Sequence, residues 1–186
     1  MIVKKILLSI ASIISLFVFI ISFNTNLKAD ENNSKQYSKD EGILSIMYHR
    51  FNESKYPSTN IQMDVFKKHV QLIKDLNLDF YDPKEFEKNF DKPKKQKKIL
   101  LTIDDAFLSF YIEAWPYLKK NKIPFILFVS TEPVGNNGYM TWDQIKEIDS
   151  HVFASIGHHS HSHDYLIDET NEDFITDIEK ANKIFL

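Results

Sequence analysis

Short, nearly continuous apolar runs alternating with helix-patterned segments constrain this chain more than any other feature. Ile43-Leu44-Ser45-Ile46-Met47, Ile99-Leu100-Leu101-Thr102-Ile103 and Pro124-Phe125-Ile126-Leu127-Phe128-Val129 are too short for typical helices. They are also too apolar to be strands with one face in water, which points to strands covered on both sides. Val152 to Ile156, ending at Gly157, is a further strand candidate. Between these runs the period changes to that of a helix. From Gln62 to Leu76, Met63, Phe66, Val70 and Ile73 recur at spacings of three and four and share one face. Thr59 with Gln62 fits a capping box for that helix. A short helix opens at Asp82-Pro83, with Glu85 at its third position and Phe86 and Phe90 pointing inward. Leu108 to Lys120 is helical, and Thr141-Trp142-Asp143-Gln144 starts another helix with a capping box. Glu172 to Phe185 is the last helix, with Phe174, Ile178 and Ala181 on one side. Strands that alternate with helices predict an α/β fold built on a parallel sheet or barrel.

The N-terminus has the order of an export signal. Lys4 and Lys5 precede an uncharged apolar run from Ile6 to Phe23, and Ala29 suits the last position before a cleavage. The run is 18 residues long, near the roughly 18-residue threshold for a spanning helix, so an uncleaved anchor is the alternative. Residues 1–29 are therefore expected to be a signal peptide or membrane anchor, and residues 30–42 a polar linker. The expected location is outside the cytoplasm: periplasmic, extracellular, or on the outer face of the inner membrane. Removing Lys4, Lys5 and Lys28 with the leader takes the formal charge from −3 to −6. A net acidic chain argues against nucleic acid as a partner, and any membrane contact is expected only through the N-terminal anchor. The five lysines between Lys92 and Lys98 read as a solvated loop. There is no cysteine, so disulfides and thiolate metal sites are excluded.

Two groups carry chemistry. Asp104-Asp105 follows a buried strand, and four of the seven histidines lie in His158-His159-Ser160-His161-Ser162-His163, also after a strand. In parallel α/β folds, the C-terminal ends of strands gather at one mouth. Asp-Asp alone reads as a helix N-cap, and a histidine-rich hexamer alone as an adventitious metal-binding surface. Together they suit metal-assisted hydrolysis: two histidines and one carboxylate leave an open position for water. The second carboxylate serves as general base.

Leu101-Thr102-Ile103-Asp104-Asp105-Ala106 resembles the Thr-Phe-Asp-Asp-Gly motif of the polysaccharide deacetylase family, carbohydrate esterase family four. His159-Ser160-His161-Ser162-His163 resembles that family's His-(Ser/Thr)-x-x-His motif. Tyr111, Pro116-Tyr117-Leu118 and Gly138-Tyr139-Met140-Thr141-Trp142 read like the same family, and the likeness runs from about Ile43 to the end. It implies an irregular (β/α) barrel, with Asp104 as general base and Asp105, His159 and His163 holding one divalent metal ion, zinc. The implied substrate is an N-acetylated polysaccharide, from which acetate is released. Met47-Tyr48-His49 looks like the first-strand segment of exported members, and His49 could reach the substrate. His158 and His161 are not expected to be ligands, and His69 and His151 read as structural or surface residues. Ala106 and Ile103 depart from the family's Gly and Phe; if position 106 needs a positive φ, its alanine is strained. The family's later motifs have no match after His163. Residues 43–186 are thus expected to be the N-terminal part of a deacetylase domain whose barrel is incomplete. About five strand candidates compare with roughly seven or eight for closure. On that expectation residues 30–186 alone are poorly soluble or partly folded, and lack deacetylase activity. Two other functions fit the residues: a non-catalytic exported sugar- or metal-binding domain, and another metal-dependent amidohydrolase.

Overall fold

The computed structural model describes residues 42–89 and 96–185. The export segment, the linker as far as Glu41, Phe90 and the lysine run up to position 95 lie outside the described residues. Four longer strands form a parallel sheet: β1 (Gly42–Tyr48), β5 (Lys97–Ile103), β6 (Phe125–Val129) and β7 (Ala154–His158), in the order β1-β5-β6-β7. Three two-residue strands complete the set. β2 (Arg50–Phe51) pairs with β3 (Asn60–Ile61), and β4 (Asp79–Phe80) pairs with the start of β5. Among the described residues every pairing between these strands is parallel, as the strand–helix alternation requires. Among the described residues the sheet is open and does not close into a barrel.

Register assigns the two faces. Leu44, Ile46 and Tyr48 lie opposite Ile99, Leu101 and Ile103, so these six side chains share a face. Phe125, Leu127 and Val129 continue it. The helices α1 (Met63–Asp75), α3 (Trp115–Asn121) and α4 (Trp142–Asp149) add Met63, Phe66, Val70, Ile73, Trp115, Leu118, Ile145 and Ile148 to the same core. Phe66 stands edge-on to Tyr48 at 5.0 Å and to Phe51 at 5.2 Å. Each such fully buried apolar side chain contributes about 1.5–3 kcal/mol. On the opposite face Leu100, Ile126 and Phe128 are only half-buried and line a shallow apolar groove with Pro83 and Phe86.

Several sequence expectations need correction. The Thr59–Gln62 capping box does not form. Residues 60–61 are strand β3, so α1 starts only at Met63, and the Asn52 carboxamide oxygen accepts the Met63 N–H at 2.9 Å. Phe86 is not inward but 44% exposed; it opens α2 (Phe86–Asn89) after a 3-10 turn over Pro83–Glu85. The helix expected over Leu108–Lys120 begins as a π turn, Phe110–Ala114. Pro116 has no N–H to offer the Ile112 carbonyl, and the Trp115 N–H reaches back five residues to Phe110. The last strand starts at Ala154, because Val152 is 81% exposed in a turn that Ala154 closes onto His151. In the final helix, α5 (Asn171–Phe185), Phe174 is exposed, and the buried residues are Ala181 and, against its polarity, Asp177.

Candidate metal centre

The two carboxylates stand where β5 leaves the sheet. The Asp104 N–H extends the ladder by one bond to the Tyr48 carbonyl, at 2.9 Å. The backbone then turns left-handed twice, with φ of 72° at Asp105 and 54° at Ala106. Aspartate tolerates that region, whereas alanine strains there. The condition for strain at Ala106, a positive φ, is met. Neighbouring contacts hold the turn in place. The Ala106 carbonyl accepts from Met140 N–H, Gly138's carbonyl accepts from Leu108 N–H, and Phe107 bridges to Tyr139. Both aspartates are buried, at 7% exposure.

The histidines stand where β7 leaves the sheet, beside them. His158, the last residue of β7, points away, its ring 6.2 Å from that of Phe185. His159 and His163 bring their Nε2 atoms to 3.6 Å and 3.0 Å of Asp105 Oδ1. One ligand atom from each of Asp105, His159 and His163 lies within 4.8 Å of the others. Asp105 Oδ1 is at ion-pair distance from both rings yet accepts no aligned hydrogen bond, and Asp104 Oδ1 is likewise buried without a partner. Buried carboxylate oxygens without donors are costly. Donor atoms that converge without bonding to each other fit a cation between them, and a His₂–carboxylate set suits zinc with a position left open.

Asp104 stands just outside that set, with Oδ2 4.0 Å from His159 Nε2. Burial pushes its carboxyl above the usual carboxylate range. The charge of Asp105 adds to this, while His159, His49 and His163 oppose it. His49, half-buried one residue past β1, is thus close enough to act on Asp104. His161 stays out of the ligand group: its Nδ1 meets Thr131 Oγ1 at 2.7 Å. His69 meets the Tyr48 hydroxyl at 3.0 Å, and His151 packs edge-on against Trp115. A cleft of about 440 Å³ opens beside the ligands, lined by Phe107, Glu132, Asn136 and Tyr139 among others.

Residues 91–186, half of the chain, match the family described as Polysaccharide deacetylase. The chain belongs to the polysaccharide deacetylase family. The sequence is 26% identical over 157 residues to the poly-beta-1,6-N-acetyl-D-glucosamine N-deacetylase of Staphylococcus epidermidis, covering 75% of this chain and 54% of that one. Among solved structures it resembles IcaB from Ammonifex degensii, with TM-score 0.65, 28% identity, and coverage of 76% of this chain and 66% of that one. It also resembles the Streptococcus pyogenes deacetylase PplD in complex with acetate, with TM-score 0.66, 25% identity and the same coverage. The chain spans 42% to 62% of the length of the curated relatives it matches.

Sequence reasoning missed the residues that hold the histidine loop. Ser130 and Thr131 follow β6 and bond to His159 and His161, and Asp177 reaches the loop from α5. It also missed Phe107 and Tyr139 as a cleft wall. Ser130, Thr131 and Phe107 carry only the signal of standing after a strand, Tyr139 lies in the family-like Gly138–Trp142 segment, and Asp177 has no local signal.

Proposed function

We propose that this site belongs to a metal-dependent hydrolase that removes N-acetyl groups from an N-acetylhexosamine polysaccharide and releases acetate. The observation that carries the reading is the convergence of Asp105, His159 and His163 beside a buried Asp104 whose Oδ1 has no hydrogen-bond partner. Asp105, His159 and His163 would hold the ion, and zinc fits the donor set. When bound, such an ion polarises an amide carbonyl and lowers the pKa of water towards about 7. Asp104 then takes a proton from the attacking water through the oxygen that has no other partner. The half-exposed imidazoles leave the ligand group open towards the cleft. Tyr139 and Phe107, with ring centroids 5.0 Å apart, offer an apolar wall for a sugar ring, and Asn136 and Glu132 offer groups for its hydroxyls. His49, whose charge acts on Asp104, is the further candidate for substrate contact.

A β-1,6-linked N-acetylglucosamine polymer is the first substrate to test, because that is what the staphylococcal relatives are named for. An exported protein would meet such a polymer, in keeping with the leader-like N-terminus. The test is acetate release from β-1,6- and β-1,4-linked N-acetylglucosamine oligomers and from peptidoglycan, with and without added Zn²⁺. Metal-dependent acetate release is the expected result from a complete enzyme carrying these residues. Metal uptake with no acetate from any of these would favour a binding domain, and amine release from peptides would favour a different amidohydrolase.

A further inference from the structure

The metal-ligand loop is clamped from two sides, and one clamp comes from a distant helix. From the sheet side, Thr131 N–H and Glu132 N–H donate to the carbonyls of Ser160 and His161, and Ser130 Oγ donates to the carbonyl of His159. From the other side, Asp177 on α5 accepts the His161 N–H at 2.7 Å on one carboxylate oxygen and the Ser162 N–H at 2.8 Å on the other. Asp177 is 9% exposed although it lies on an otherwise largely solvated helix. The loop requires such restraint. Ser160 and His163 both sit at φ 64°, each left-handed without being glycine, and such residues persist only where the surroundings over-determine them.

We propose that Asp177 is a positioning residue of the metal centre: by taking two successive N–H groups between His159 and His163, it fixes the turn that sets how the two imidazoles meet Asp105. The inference rests on the metal reading of the site. A carboxylate suits the task because both of its oxygens accept. An asparagine of the same shape offers one acceptor and turns an NH₂ towards the second N–H. Support of a ligand through its backbone acts on metal affinity as outer-shell partners do, where loss typically costs roughly 10–100-fold.

The test is Co²⁺ binding to the full chain, followed by the visible absorption of the bound ion and by chelator competition. Asp177→Asn is expected to weaken Co²⁺ binding on the order of 10–100-fold and to change the shape of the absorption bands. Asp173→Asn is the control, because it removes the same charge from the same helix and its bonds run to Thr170 and not to the loop. It should leave affinity within about twofold, well short of the effect expected at Asp177. A merely structural Asp177 would lower the melting temperature and leave the bound-ion spectrum unchanged. Equal affinity and an identical spectrum in Asp177→Asn would overturn the inference while the metal reading stands. If Asp177→Asn fails to fold, Asp177→Glu decides: it keeps the charge but moves both acceptors by one methylene, so an unchanged spectrum and affinity would equally overturn it. A wild-type chain that takes up no Co²⁺ is a different failure, that of the metal reading itself.

Discussion

The two loops that meet at the metal centre are held in opposite ways. The Asp104–Ala106 turn is buried and continuous with the central strand, and its strained backbone is locked by Met140 and by the Tyr48 carbonyl. The His159–His163 loop is half-exposed and held by polar tethers from Ser130, Thr131, Glu132 and Asp177. Burial does for the carboxylates what hydrogen bonds do for the histidines. Changes in the first loop should therefore register in fold stability or proton transfer, and changes in the second in metal affinity.

The largest expected effect is at Asp104. In a complete enzyme carrying this half, Asp104→Asn should keep the metal and cost turnover on the order of 10²–10⁴-fold, measured as acetate release alongside metal content. Loss of the metal instead would mean that the roles of the two aspartates are exchanged. Next comes Ala106→Val. A β-branched side chain at φ 54° in a fully buried turn adds backbone strain to overpacking, together about 2–4 kcal/mol of destabilisation by denaturant titration. Ala106→Gly should stay within about 1 kcal/mol of wild type, since relief of strain is offset by glycine's greater unfolded-state entropy. If Val is tolerated as well as Gly, the carboxylate turn is not held as described.

Thr131→Val probes the other loop. It removes the hydroxyl facing His161 while keeping the shape, and should weaken metal binding by roughly 10-fold with little change in the melting point of the metal-free protein. A large melting shift with unchanged affinity would reverse the contrast between the loops.

The smallest effect on the site is expected from Glu147, away from the centre. The Lys119 ammonium, with help from the Tyr111 hydroxyl and the Trp115 indole, holds its carboxyl down from about 4.5 to about 2, against the opposing effect of burial. A depressed carboxylate stabilises the fold fully above its unfolded pKa, and that contribution is lost as pH falls from about 4.5 to about 2. Melting temperature measured over that range should therefore fall less steeply in Glu147→Gln than in wild type, while metal affinity at neutral pH is unchanged.

Much of this contrast could be read from the sequence, but not evenly. Ile99–Ile103 announced a buried strand, and Asp104-Asp105 at its end followed from chain order alone. The Thr141–Gln144 capping box is local and formed as expected. His159 and His163 were chosen over His158 and His161 through the spacing of a resembling motif, and the geometry brings those two to Asp105. What stayed hidden is long-range. Asn52 caps a helix that starts eleven residues later, and Asp177 serves a loop fifteen residues earlier. Neither is visible in a local window, because a side chain's partner across the fold leaves no periodic trace. Pro116 marks the Ile112 carbonyl as losing its donor, but a helical apolar pattern does not show that the turn before it widens to a π turn.

The central claim is that Asp105, His159 and His163 hold one divalent ion. Elemental analysis after identical Zn²⁺ loading and dialysis tests it directly in wild type, His163→Ala and His161→Ala. One zinc per chain is expected in wild type and in His161→Ala, and almost none in His163→Ala. Full zinc content in His163→Ala would contradict the account.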